Sequence, residues 1–111
     1  MNYNGKKFKA AINTPNGESS SSTVFHYQQD GSLLTAEYSG GEIQKGYILG
    51  KVDAKGHIDM VYQHVNIQGE IRTGKCLSIP YITESGNLRL KESWQWTNGD
   101  LSHGISEIEE I

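Results

Sequence analysis

The sequence predicts an all-β protein: about eight antiparallel strands in an up-and-down meander, closed into a small barrel. Three observations carry that prediction. Turn signals recur along the whole chain, at Thr14-Pro15-Asn16-Gly17, Asp30-Gly31, Gly40-Gly41, Asp53-Ala54-Lys55-Gly56, Gln68-Gly69, Ser85-Gly86-Asn87 and Asn98-Gly99. Each sets a glycine, for which a positive φ is cheap, beside a residue that tolerates a turn. Between the turns the side chains alternate with a period of two, as in a strand with one face inward, and no stretch sustains a helical repeat. Finally, an open meander would leave its first and last strands as unpaired edges, and closing one onto the other removes both.

Taken in order, the segments between turns cover residues 6–13, 21–29, 32–39, 42–53, 56–66, 69–79, 86–97 and 102–111. The second sets Thr23, Phe25 and Tyr27 against Val24, His26 and Gln28, and the third sets Leu34, Ala36 and Tyr38 against Leu33, Thr35 and Glu37. In the fifth, Ile58, Met60, Tyr62 and His64 oppose Asp59, Val61, Gln63 and Val65. The run Glu18-Ser19-Ser20-Ser21-Ser22 is low in complexity and reads as a loop entering the second strand. Gly46, Gly50, Gly74 and Gly104 fall inside strands, where a tight barrel needs bends and large rings need a neighbour without a side chain.

The seventh segment carries the strongest pattern. Leu88, Leu90, Glu92, Trp94 and Trp96 share one face; Arg89, Lys91, Ser93, Gln95 and Thr97 share the other. The first face is apolar and aromatic with one carboxylate in its middle, so it points inward. Its register with the eighth strand depends on the Asn98-Gly99 turn. A two-residue turn sets Trp94 opposite His103. A three-residue loop with a bulge at Gly99 sets it opposite Gly104 and turns Ser102, Gly104 and Ser106 inward. A ring over glycine packs well, which favours the second arrangement.

Composition narrows the function. With 111 residues there is one domain, residues 1–111, and one core. The net charge is −3 with no Lys/Arg cluster, so neither a nucleic-acid partner nor an anionic membrane is expected. Cys76 is the one cysteine, so no intrachain disulfide and no Cys-based zinc site can be closed. Met1 to Lys9 is polar and basic, without the apolar core of a secretory signal, and the expected setting is cytoplasmic. No cofactor is expected.

By Tyr62-Gln63-His64-Val65-Asn66, Gly74-Lys75-Cys76-Leu77-Ser78 and Glu92-Ser93-Trp94-Gln95-Trp96-Thr97, the chain resembles a family of small bacterial proteins of about this length. Members often carry the label N-acetylglutamate synthase, and the resemblance spans the chain. The label implies acetyl transfer from acetyl-CoA to glutamate. Acetyltransferases of that kind use an α/β fold in which a Gln/Arg-x-x-Gly-x-Gly/Ala loop opens a helix that cradles the CoA pyrophosphate. Here Gln28-Gln29-Asp30-Gly31 and Gln68-Gly69-Glu70 leave the pattern incomplete and have no helix to cap, so the residues do not support that activity. In architecture the chain is similar to calycin-type barrels such as the avidins and lipocalins, which hold ligands inside a meander barrel. That similarity implies a small-molecule ligand in the interior.

The candidate binding residues are Phe25, Tyr27, Tyr38, Tyr62, Trp94 and Trp96, with Glu92 and His64 as polar contacts. Aromatic walls with a few placed polar groups suit a small apolar or aromatic ligand. The plainer reading is that the rings fill the barrel, their polar atoms bonded to backbone. Glu92 is open to two roles: buried among rings its pKa would rise, and paired with Arg72 or His64 it would stay ionised. An enzyme acting through Glu92 or His64 is the competing function, and a structural or interaction domain with a filled core is the third. Catalysis by Cys76 with His64 is disfavoured, because Cys76 is expected opposite Val61, give or take one residue, on the face away from His64 and about 10 Å along the strand. His26, His57, His64 and His103 include no pair at metal-ligating spacing, so no metal site is expected.

Overall fold

The period-two alternation becomes eight strands in the computed structural model, which describes residues 1–111. They are β1 (Lys7–Asn13), β2 (Val24–Asp30), β3 (Leu33–Gly40), β4 (Ile43–Val52), β5 (Ile58–Asn66), β6 (Ile71–Ile82), β7 (Leu88–Trp96) and β8 (His103–Glu110). Every strand pairs antiparallel with its sequence neighbours, and β8 pairs back onto β1, so the sheet is a closed barrel with no edge and no helix. Two strand ends lie three residues from where they are expected. β2 starts at Val24, because residues before it fold over one end of the barrel. β6 continues through Pro80 to Ile82; β5 has ended opposite Ser78, so a residue without an N–H is tolerated there.

The inward set matches the alternation. Phe25, Tyr27, Leu34, Ala36, Tyr38, Ile48, Ile58, Met60, Leu88, Leu90, Trp94 and Trp96 are all buried, while Lys75, Lys91 and Gln63 on the opposite parity face out. An eight-stranded barrel has little interior volume, so large rings must lie over glycine. Trp94 pairs with Gly104, and a methyl at Gly104 would sit within its indole ring. Tyr62 covers Gly74 and Tyr38 covers Gly46 in the same way. The β7–β8 register is therefore the one that seats Trp94 over Gly104, with Gly104 and Ser106 buried inside. The connection is wider than a three-residue loop: Trp96 N–H donates to Ser102 O, and Leu101 adopts φ 60°.

One filling was not expected. The N-terminal segment crosses the end formed by the β2–β3, β4–β5 and β6–β7 turns. Tyr3 is fully buried there, donating its hydroxyl to Gly56 O. It packs against Phe8 and Tyr27, and Phe8 and Tyr27 lie 4.8 Å apart between ring centroids. This base layer is closed. One placement is corrected: Cys76 lies opposite Met60, one residue from Val61, and that shift turns it onto the same inward face as His64 instead of the opposite one. Four strand positions, roughly 13 Å, still separate them along the barrel.

The face assignment has a direct test by urea denaturation. Trp94→Ala should cost about 3–5 kcal/mol from lost burial and the void it leaves, whereas Gln95→Ala on the outer face should change stability by no more than about 0.5 kcal/mol. Similar losses for the two would contradict the register.

Candidate functional site

Above the base layer the barrel encloses a cavity of about 60 Å³. Phe25, Tyr38, Tyr62, His64, Glu92, Trp94 and Trp96 line it, joined by Ile48, Met60 and Ser106, with Gly17, Glu18 and Ser19 from the β1–β2 connection as its roof. Seven of the eight residues singled out in the sequence therefore border one space. Tyr27 does not. It lies two residues deeper than Phe25, about 7 Å along the strand, where Phe8 and Tyr3 surround it.

The rings form a connected wall. Phe25 stacks on Tyr38 at 5.0 Å, and His64 meets both Tyr38 and Trp96 edge-on. Trp96 also meets Tyr62 at 5.7 Å and Trp94 at 5.4 Å. Such tilted and edge-to-face contacts are the favoured geometries for aromatic pairs.

The polar floor is Glu92. Neither Arg72 nor His64 pairs with it; instead Ser78 Oγ donates to one carboxylate oxygen at 2.9 Å and Ser106 Oγ to the other at 3.2 Å. Burial pushes its pKa up to about 7, and the two serine hydroxyls pull it only part of the way back. Near neutrality this carboxyl is thus divided between acid and carboxylate, able to donate or to accept a hydrogen bond at the cavity floor. Ser106 follows from the register argument. Ser78 could be found only once the β6–β7 pairing Ser78↔Glu92 was known.

At the opposite end, Glu18 closes the mouth. Its carboxylate accepts from His64 Nε2 at 2.8 Å and from Arg72 NH1 at 2.8 Å, with the Asn66 amide at 3.3–3.4 Å. Tyr38 donates its hydroxyl to His64 Nδ1 at 2.8 Å. That assignment makes His64 a neutral imidazole carrying its proton on Nε2. Burial holds its pKa below the ordinary value, the Glu18 carboxylate opposes this and Arg72 adds to it, so the neutral ring persists at pH 7. Burial likewise pushes the Tyr38 and Tyr62 hydroxyls up, Tyr62 despite Arg72 nearby. Arg72 lies on the Trp96 face, 3.9 Å from the ring centroid, and Trp96 Nε1 donates to Asn16 O. Glu18 escaped notice in the sequence because it opens a serine run, and nothing local marks a loop carboxylate that binds 46 residues away.

The comparisons with known proteins fit this architecture. The family described as Avidin-like protein matches residues 1–111. The chain belongs to the avidin-like family. This agrees with the calycin-type barrel read from the strands, and the comparisons lend no support to the N-acetylglutamate synthase label. No curated protein and no solved structure matches the chain.

Glu92 gives a pH prediction with a definite sign. Its folded pKa near 7 exceeds the ordinary 4.5, so the folded state holds the proton more tightly. Its contribution is favourable at low pH and is lost as pH rises from about 4.5 through 7. Glu92→Gln should remove that dependence and be more stable than the natural protein at pH 8, by up to about 3 kcal/mol. Equal stabilities at pH 5 and pH 8 for the two proteins would show that Glu92 carries no such strain.

Proposed function

We propose that this avidin-like barrel binds a small molecule in its interior, an apolar or aromatic group lying against Trp94, Trp96 and Tyr62 with Glu92 and Ser106 as its polar contacts. The observation that carries this reading is the cavity itself: aromatic walls around a carboxyl and the Ser106 hydroxyl, the pattern of pockets that orient small ligands. A domain that needed only a filled core would gain from an apolar residue in place of Glu92, since burying a carboxyl is unfavourable. The family supports the same reading, through the ligand-holding interior of calycin-type barrels. We place the protein in the cytoplasm, a setting that suits its single free, buried thiol.

The cavity also sets a size. At about 60 Å³ it is well under the roughly 150 Å³ void that accepts benzene. With the mouth closed it holds only a very small group, so a larger ligand requires residues 14–23 to move aside.

One observation favours an enzyme as the second reading: a cavity carboxyl titrating near neutrality is suited to proton transfer. Against it, both His64 ring nitrogens are already engaged, by Tyr38 and Glu18, leaving no free base opposite Glu92. Turnover of a bound compound with a bell-shaped pH profile, abolished by Glu92→Gln, would select the enzyme.

Binding is tested by following the Trp94 and Trp96 indole resonances during titration with small neutral aromatics: phenol, benzamide and 3-phenylpropionamide. At least one should give saturable shifts, and these should vanish in Ser106→Leu, whose side chain fills the floor. Shifts that persist unchanged in that variant, or the absence of saturation throughout, would remove the proposal.

A further inference from the structure

We infer that the barrel mouth is a carboxylate-recognition site that Glu18 occupies from within, and that the ligand is a small acid whose carboxylate takes the place of Glu18 as residues 14–23 swing away. This rests on the interior-ligand reading and adds the ligand's chemical class. The argument begins with the donors. Three side chains from two neighbouring strands converge on the two oxygens of Glu18: His64 and Asn66 from β5 and Arg72 from β6.

Each donor is held in place by something other than Glu18. Tyr38 fixes the tautomer and tilt of His64. Asn66 Oδ1 accepts the backbone N–H groups of Gln68 and Glu70, which aims its amide toward the mouth, where it also donates to the Glu70 carboxylate at 2.9 Å. Arg72 is laid flat by the Trp96 ring. A site whose donors stay ordered when its occupant leaves is preorganised for another occupant of the same chemistry. Arg72 also keeps a donor in reserve: its Nε is buried without a partner, while NH1 serves Glu18. A free carboxylate shifted onto the Nε–NH2 edge, which faces Gly99, could use both donors side-on, whereas one in Glu18's own place meets NH1. The loop carboxylate, tethered by its backbone, uses only one.

The tether is weakly held. Residues 14–23 carry no large apolar side chain; Thr14 N–H to Ile105 O and the buried Thr23 hydroxyl to Gly40 O hinge the two ends, and the links between them are polar, including Asn13 Nδ2 to Ser19, Asn16 Nδ2 to Ser102 and His103, and Trp96 Nε1 to Asn16 O. Such contacts exchange readily with water, and the tail of an entering ligand re-covers the rings that the loop uncovers. Glu18 and His64 border the cavity, so an acid bound at the mouth would extend its tail directly into the space between the rings. Glu18 then acts as an intramolecular competitor, at the millimolar effective concentration typical of short tethers.

The test uses two probes with one tail, 3-phenylpropionate and 3-phenylpropionamide, titrated by calorimetry into the natural protein, Glu18→Gln, Glu18→Ser and Arg72→Gln. Either Glu18 variant should tighten the acid at least tenfold more than the amide, which gains only from the freed loop; Glu18→Ser guards against a glutamine that still caps Arg72. Arg72→Gln should abolish the preference for the acid. In the natural protein both probes should shift the backbone amides of Gly17, Glu18 and Ser19, since the tail they share displaces the loop, and only the acid should shift the Arg72 side-chain resonances. If the amide binds but neither Glu18 variant improves the acid beyond the amide, the carboxylate inference fails while the interior pocket stands. If neither probe binds any of these proteins, both fail.

Discussion

Closure of β8 onto β1 is the constraint from which the rest follows. Eight strands fix a narrow interior, and every inward side chain competes for the same volume. The pairing of rings with glycines is the outcome: Trp94 over Gly104, Tyr62 over Gly74 and Tyr38 over Gly46. These glycines are packing partners more than flexible points, since none of the three has a positive φ. The same constraint explains the layering. Tyr3, Phe8 and Tyr27 fill the base completely, so the space left over lies above them, bounded by Glu92 at its floor and Glu18 at its roof.

The two carboxylates are handled by opposite physics. Glu92 has no cation beside it and relies on two neutral hydroxyls, so burial dominates and its proton is retained toward neutral pH. Glu18 meets a guanidinium, an imidazole N–H and an amide at the rim, where neighbours compensate its charge. An interior acid that can donate and a rim that accepts anions give the cavity a polarity along its axis. A ligand entering there would be oriented as well as held.

Much of this was legible from the residues because a strand's period is short and strict. Leu88 to Trp96 names its own inward face, and the glycines inside strands point to the rings that need them. The register of β7 on β8 was also readable, since only one alternative set Trp94 over Gly104. What escaped lies where the period gives no guidance. Tyr3 precedes the first strand and Glu18 sits within a polar loop, so neither belongs to an alternating pattern, yet they close the two ends of the barrel. Tyr27 shows a different limit: alternation assigns the face but not the depth, and depth decides whether a ring lines the cavity or the base. Cys76 shows a third, since a turn miscounted by one residue moves its strand partner from Val61 to Met60.

The central claim is that the barrel keeps an unfilled space between its aromatic wall and Glu92. A crystal pressurised with xenon tests it directly, because xenon enters apolar voids of this kind. The account predicts one xenon atom inside the barrel, in contact with Trp94, Tyr62 and Met60. An interior in which side-chain density runs continuously from Glu92 to His64, with neither xenon nor ordered water between them, would contradict it.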